Sequence, residues 1–236
     1  AHPGRLTGPA MHDALLRAHG IARRYGSFEA LAPLDLEIRP GERIALTGPN
    51  GAGKTTLLTM LAGVHPPDAG DVAWSHAARG HVGWVPQRPA VYPRLSAREN
   101  LVLFAGLEGT DDPASTADRL IVRADLQEVA GRRAGALSTG TLQRLNLAVA
   151  LAGSPRLLLL DEPTGTLSPD QRMRLWQWLD DLVAADGMAI AFSTQSMEEA
   201  AARADRVLVL GRGQLLHDGP AGALDDAAFL ALVEDA

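Results

Sequence analysis

The amino-acid sequence predicts an α/β fold in which a mostly parallel β-sheet is flanked by helices and joined by an antiparallel β layer and a helical insertion. Three observations predict it. A glycine-rich loop at residues 48–55 lies between a short apolar strand and an apolar helical stretch. Four consecutive leucines at 157–160 end in two acidic residues, which is typical of a buried parallel strand. Strand-like runs at 15–46 and helical periodicity at 95–129 supply the two additional layers.

Turn sequences divide the N-terminal segment into short strands. The turns at 25–27 and 39–42 predict an antiparallel layer that leads into the strand before the glycine-rich loop. Residues 68–86 have the same character, with strands expected at 72–74 and 81–85. We therefore expect both of these strands to extend the antiparallel layer.

The helical insertion is expected at about residues 94–136. Ser96 lies three residues before Glu99, which is the signature of a capping box at the start of a helix. A second helix is expected to begin at Pro113, after two aspartates. The insertion should divide the core of the domain into two halves.

The C-terminal half returns to alternating helices and strands. A helical run is predicted from Ser138 through Leu151 and another helix after Pro169. A strand is expected at 188–193 and a terminal hairpin at 206–216, turning through Gly211-Arg212-Gly213. The leucine strand should then be central, with its acidic end at the edge of the sheet where ligands bind.

Composition narrows the class of protein. With 236 residues, of which 46% are hydrophobic, the chain has enough apolar surface for a single domain over residues 11–236. No run of about 18 apolar residues and no secretion signal are present, so we expect a cytoplasmic protein. The net charge of −6 argues against a general nucleic-acid binder. Residues 1–10, with two prolines and two glycines before Met11, are expected to be a disordered, processed or expression-derived leader.

The chemistry of the glycine-rich loop is that of a phosphate-binding loop, which predicts a P-loop NTPase core. Lys54, the single lysine among 22 basic residues, lies within it, and a compact ammonium fits against β- and γ-phosphates where a planar guanidinium does not. Glycines allow the backbone N–H groups to face phosphate oxygens. The predicted binding residues are Gly48, Pro49, Asn50, Gly51, Ala52, Gly53, Lys54, Thr55 and Thr56, and Thr55 is also a predicted Mg²⁺ ligand.

Four further positions complete the predicted site. Asp161 is expected to bind Mg²⁺, which leaves Glu162 free to polarise an attacking water. Gln87 could reach Mg²⁺ or that water, although taken alone it is a polar loop residue. Tyr25 could stack on an adenine ring, although it could equally be a packing residue.

In order along the chain, these residues resemble the nucleotide-binding subunits of ATP-binding cassette (ABC) transporters, from about residue 14 to 219. The resemblance implies the ABC ATPase architecture. Its six elements are the aromatic loop at Tyr25, the Walker A loop at 48–56, the Q-loop at Gln87, the signature Leu137-Ser138-Thr139-Gly140-Thr141, the Walker B run ending in Asp161-Glu162, and the switch position Gln195.

That resemblance implies an ATPase that binds ATP with Mg²⁺ between two subunits. Each ATP would contact the Walker A loop of one subunit and, in trans, Ser138, Thr139, Gly140 and Thr141 of the other. Lys54, Gln87, Glu162 and Gln195 would be the catalytic residues. The subunits would drive a transmembrane permease from the cytoplasmic face of the inner or cell membrane.

The chain departs from the family pattern at four positions that bear on ATP hydrolysis. The family usually has glycine and glutamine at the positions of Thr139 and Thr141, aspartate at Ser168 and histidine at Gln195. Glutamine donates a hydrogen bond but cannot become cationic. We therefore expect ATP binding with slow or asymmetric turnover, in a heterodimer with a second cassette ATPase or, alternatively, in a slow homodimer.

Two other functions remain open at this point. A soluble cassette ATPase could act as a clamp in assembly or DNA repair, although the chain lacks the long coiled-coil insertion of the repair type. A non-hydrolysing sensor could gate a partner by ATP-dependent dimerisation, against which the presence of Glu162 argues. Residues 91–100 resemble the corresponding segment of exporter-type subunits.

Overall fold

Two β-sheets organise the part of the chain that the structure, a computed structural model, describes, namely residues 14–75 and 82–234. The predicted leader at 1–10 lies outside these residues. The strands are β1 Leu16–Tyr25, β2 Phe28–Ile38, β3 Arg43–Thr47, β4 Ala69–Trp74, β5 Val82–Val85, β6 Leu157–Leu160, β7 Ala189–Ser193, β8 Arg206–Gly211 and β9 Gln214–Pro220. The helices are α1 Lys54–Leu61, α2 Ala97–Leu107, α3 Pro113–Arg123, α4 Thr139–Ala150, α5 Pro169–Asp186, α6 Met197–Arg203 and α7 Asp226–Glu234.

The smaller sheet is the predicted antiparallel layer. It has three strands in the order β2-β1-β4, and β1 pairs antiparallel with both neighbours. Leu16 of β1 lies opposite Ile38 of β2 on one side and Trp74 of β4 on the other. The turns predicted at 25–27 and 39–42 are present, which confirms this part of the prediction.

The larger sheet contains six strands in the order β5-β6-β7-β3-β8-β9, parallel except for β9. The α/β fold class is therefore confirmed. One assignment is wrong: β5 does not belong to the antiparallel layer but pairs in parallel with the leucine strand β6. Gly83 explains the packing, because an added Cβ there would lie 2.7 Å from the backbone oxygen of Ala150 at the end of α4. The residue thus lets α4 approach the edge of the parallel sheet closely.

The leucine strand β6 lies between β5 and β7 and is buried on both faces, as predicted. Leu158 and Leu160 pack into a core shared with the helices α2 to α6. Leu157 and Leu159 pack into a second core with the antiparallel sheet and α1. Alternation of side chains along a strand therefore divides four identical residues between two hydrophobic cores.

The helical insertion begins where its capping residues predict. The backbone N–H of Glu99 donates to Ser96 Oγ at 3.2 Å, and the backbone N–H of Ser96 donates to the Glu99 carboxylate at 2.7 Å. Pro113 starts α3, which Asp112 caps. Both helix starts are thus confirmed.

The C-terminal hairpin is also confirmed, and it forms the edge of the larger sheet. Arg212 and Gly213 have φ of 44° and 81°, the left-handed conformations that a tight hairpin turn requires. Helix α7, which the sequence analysis did not predict, follows the hairpin. Among the helices of residues 14–75 and 82–234, none is both long and apolar enough to span a bilayer.

Candidate functional site

The glycine-rich loop connects β3 to α1, and its shape depends on its glycines. Gly48 and Gly53 have φ of 140° and 104°, values that L side chains rarely adopt. A Cβ on Gly48 would collide with the backbone oxygen of Leu210, and one on Gly53 would lie 2.8 Å from that of Ala30. The loop is therefore clamped between β8 and β2, and its backbone takes a conformation that can enclose an anion.

Lys54 lies inside this loop rather than in solvent. Its side chain is buried, with 6% exposed, and Nζ donates to the backbone oxygens of Gly48 at 2.7 Å and Pro49 at 3.0 Å. Burial lowers the pKa of this ammonium below its ordinary value, while the charges of Glu162 and Asp161 act in the opposite direction. A single compact cation thus occupies the space that the loop surrounds.

Asp161 follows β6 and is held by two hydroxyl groups. Thr55 Oγ1 donates to one carboxylate oxygen at 2.8 Å, and Ser193 Oγ donates to the other at 2.6 Å. Asp161 is 3% exposed and Ser193 is fully buried. The structure therefore brings together the two oxygen ligands, Thr55 and Asp161, that the sequence analysis assigned to Mg²⁺.

Ser193 was missed by the sequence analysis. Its hydroxyl also accepts a hydrogen bond from the backbone N–H of Glu162 at 2.8 Å, so it fixes both acidic residues. Part of the signal was available, because Ser193 is a hydroxyl residue at the end of the strand predicted at 188–193, but the position of this strand beside the leucine strand was not predicted.

Glu162 lies between two amide side chains. Gln87 Nε2 donates to one of its carboxylate oxygens at 2.9 Å, and Gln195 Nε2 donates to the other at 2.8 Å. Glu162 itself has φ of 46°, which is uncommon for a residue other than glycine and indicates a conformation imposed by its surroundings. Three residues predicted to be catalytic are thus in direct contact.

The order of the sheet explains this contact. The strands β5, β6 and β7 are adjacent and parallel, and they end at Val85, Leu160 and Ser193. Gln87, Glu162 and Gln195 each lie two residues beyond one of those ends. Since neighbouring strands are about 4.8 Å apart, residues that follow three adjacent strand ends place their side chains in one row, although Gln195 lies one position beyond the register partner of Glu162.

Tyr25 lies at the end of β1 and is 50% exposed. The guanidinium of Arg23 lies 5.1 Å from the ring centroid and is itself held by the backbone oxygen of Pro66 at 3.0 Å and by Asp68 at 2.8 Å. An exposed ring supported in this way provides a surface on which a planar base could stack.

The signature residues form the first turn of α4. Ser138 caps the helix by accepting from the backbone N–H of Thr141 at 3.3 Å, and the two hydroxyl groups are 2.8 Å apart. Thr139 is the first residue of α4, and Gly140 packs against the side chain of Gln171 in α5, which would have to shift to admit a Cβ. In the described residues these side-chain bonds stay within the turn, so the signature is not part of the row around Glu162.

The sheet, the clamped loop, the buried lysine and the Thr55–Asp161 pair together define a nucleoside-triphosphate-binding protein of the P-loop class. The comparison with known families is more specific. The ABC transporter family model matches residues 31–165, and the chain belongs to this family. The resemblance deduced from the motifs is thereby confirmed.

Related proteins and structures agree with that assignment. The chain is 39% identical over 226 residues to the "Probable multidrug ABC transporter ATP-binding protein YbhF" of Escherichia coli (strain K12), covering 91% of this chain and 39% of that protein. It is 37% identical over 226 residues to the sulfate/thiosulfate import ATP-binding protein CysA of Caulobacter vibrioides, covering 90% of this chain and 67% of that protein. The chain therefore spans well under half the length of YbhF.

The fold also matches a solved cassette. The dimeric structure of the bacterial ABC transporter cassette MJ0796 superposes with a TM-score of 0.78 at 25% identity, covering 87% of this chain and 98% of that chain. The architecture predicted from the motifs is thus that of an ABC ATPase cassette.

Proposed function

We propose that the chain is the ATP-binding and ATP-hydrolysing subunit of an ABC transporter, which powers a membrane permease by ATP-driven dimerisation and hydrolyses ATP slowly or asymmetrically. The observation that carries this proposal is the row Gln87–Glu162–Gln195 beside the loop that holds Lys54. A general base and a phosphate cradle at one sheet edge are the parts that phosphoryl transfer to water requires.

Binding of ATP would rest on charge and on backbone donors. The loop amides and the Lys54 ammonium would face the β- and γ-phosphates, and Tyr25 would stack on the adenine. Thr55, Asp161 and Gln87 would hold Mg²⁺, and the Thr55 and Asp161 oxygens, 2.8 Å apart, are hard donors that suit this ion. When bound, Mg²⁺ neutralises charge that develops on the phosphates.

Hydrolysis would depend on Glu162. Its carboxylate would accept a proton from the attacking water, and the two amides that now bond to its oxygens would orient it. Gln195 cannot supply the positive charge of an imidazolium, so its contact with developing phosphate charge is weaker. Loss of one such contact typically costs about 2–4 kcal/mol, or on the order of a hundredfold in rate.

A second cassette subunit is proposed as the partner, with a heterodimer favoured over a homodimer. The capped N-terminus of α4 presents the Ser138 hydroxyl and backbone N–H groups, which suit a γ-phosphate held by the other subunit. Thr139, Thr141 and Ser168 depart from the family pattern at positions that act across such an interface. The heterodimer would then have one competent and one impaired ATP site. It would lie on the cytoplasmic face of the inner or cell membrane.

The relatives support a transporter rather than a soluble clamp. Both carry "ATP-binding protein" in their names, one for a multidrug transporter and the other for an importer. The soluble clamp and the ATP-dependent gating protein are the alternatives, and co-purification of the chain with a multispan membrane protein distinguishes transport from both.

Calorimetry and a sensitive phosphate-release assay test the proposal. The purified chain should bind ATP with Mg²⁺ and hydrolyse it near background, whereas Lys54→Ala should abolish binding and Glu162→Gln should retain it. Absence of ATP uptake at millimolar concentration would refute the proposed function. Fast turnover that disappears with Glu162→Gln would refute the impairment while leaving ATPase function intact.

A further inference from the structure

The carboxylate of Glu199, in α6, accepts three side-chain hydrogen bonds. One oxygen accepts from Thr164 Oγ1 at 2.7 Å and from Trp176 Nε1 at 3.0 Å, and the other accepts from Thr194 Oγ1 at 2.6 Å. Thr164, Trp176 and Thr194 are 4%, 4% and 5% exposed. This partly buried carboxylate is therefore satisfied by neutral donors, with no ion pair to it among the described residues.

The three donors belong to three different segments. Thr164 lies two residues after Glu162, and Thr194 immediately precedes Gln195. Trp176 lies in α5, the helix that begins after Ser168. Glu199 therefore connects the segment that carries Glu162, the segment that carries Gln195 and helix α5.

Each of these segments is also fixed to the core, so the connection is stiff. The backbone N–H of Thr194 donates to the oxygen of Leu46 in β3, and that of Glu162 donates to the hydroxyl of the buried residue Ser193 at the end of β7. The Trp176 ring packs edge-on against Phe192 of β7, with centroids 4.7 Å apart. A shift at Glu199 would therefore be transmitted to the residues that carry Glu162 and Gln195.

We infer that Glu199 is a positioning residue for ATP hydrolysis, which sets the contact between Glu162 and Gln195 by fastening Thr164 and Thr194 to one carboxylate. This inference rests on the proposed ATPase function. Glu199 touches neither the phosphate loop nor the acidic pair through any described hydrogen bond. Its effect should thus appear in the rate of hydrolysis and not in the affinity for ATP.

A carboxylate is required because all three partners donate. Thr194 Oγ1 already accepts from the backbone N–H of Ser196 at 3.1 Å, and its own proton goes to Glu199. In Glu199→Gln the amide nitrogen would face that hydroxyl and could not accept its proton. Thr194 would lose the charge-assisted hydrogen bond to the carboxylate and keep at most a neutral bond from the amide, while the size of the side chain stayed the same.

The matched control is Glu198→Gln, which makes the same chemical change at the preceding, exposed position of α6. In the full chain, Glu199→Gln should lower the slow ATP hydrolysis about tenfold or more, toward the level of Glu162→Gln, with KM for ATP unchanged, and Glu198→Gln should change neither. Thr194→Val should reproduce the loss, and Thr194→Ser, which keeps the hydroxyl, should restore most of the activity.

The rate of ATP hydrolysis is measured with radiolabelled ATP over long incubations. The Glu162→Gln variant gives the background rate that is subtracted. Hydrogen–deuterium exchange of the ATP-bound chain provides a second readout: Glu199→Gln should speed exchange in segments 162–165 and 194–196 together. Unchanged exchange and rate would overturn the inference, as would a rate loss that follows only the fall in Tm across the variants. If only the positioning role of Glu199 is wrong, ATP binding is unaltered in Glu199→Gln. If the proposed function itself is wrong, the unsubstituted chain does not bind ATP.

Discussion

Replacement of Gln195 by histidine should raise the rate of ATP hydrolysis. The Gln195 amide lies 2.8 Å from a Glu162 carboxylate oxygen and is exposed to the space in front of the sheet edge. An imidazole at this position would keep a donor toward the same oxygen and could also become cationic. The change therefore adds charge without removing a hydrogen bond.

The size of the effect follows from the type of hydrogen bond. A whole transition-state contact is typically worth about 2–4 kcal/mol, and a neutral amide keeps roughly half of it, because a cationic donor makes a hydrogen bond about twice as strong as a neutral donor does. The gain of about 1–2 kcal/mol, if it is realised in the transition state, corresponds to roughly a five- to thirtyfold increase in kcat. Adding Ser168→Asp should raise the rate further if both departures limit turnover.

The pH dependence makes this test specific. Proximity to the Glu162 carboxylate should raise the pKa of the new imidazole above about 6.5, the ordinary value for histidine. The cationic form is present below that pKa and is lost above it, so the ratio of variant to unsubstituted turnover should fall between about pH 6 and about pH 9. Equal rates for both proteins across this range would refute the reasoning, because Gln195 would then not limit hydrolysis.

Three further substitutions test the site and the core. Lys54→Arg should weaken ATP binding at least about tenfold by calorimetry, since a guanidinium fork does not fit where Nζ lies 2.7 and 3.0 Å from two carbonyl oxygens; equal affinity would contradict the assigned fit. Gly48→Ala should destabilise the fold by more than about 2 kcal/mol in urea titrations, because its Cβ meets the Leu210 oxygen at a φ of 140°. Leu158→Ala should cost about 2–5 kcal/mol of unfolding free energy, and a loss below about 1 kcal/mol would contradict its place in the helical core.

Local motifs were predictable because their chemistry lies within a few residues of sequence. The glycines that shape the phosphate loop, the lysine inside it and the capping box at Ser96 each depend on short spacings. The leucine strand was predictable because four consecutive apolar side chains require burial on both faces.

The assignment of β5 failed for a physical reason. A short strand after a turn has the same local pattern whether it pairs antiparallel with the preceding strand or parallel with one more than seventy residues away. Pairing with β6 is decided by packing against α4 at Gly83 and by the in-register contact of Val82–Val85 with Leu157–Leu160. No local signal carries that information.

By itself the sequence determined the loop, its lysine, the paired acids and the order of motifs, since each is specified by residue type at close spacing. Only the tertiary structure decided that β5, β6 and β7 are neighbours, and hence that Gln87, Glu162 and Gln195 meet in one row. It also revealed that Ser193 binds Asp161 and the backbone of Glu162, and that Glu199 accepts a hydrogen bond from Thr194 beside Gln195. The reason is that strand order and buried hydrogen bonds arise from contacts between distant segments, and these form only when the whole core packs.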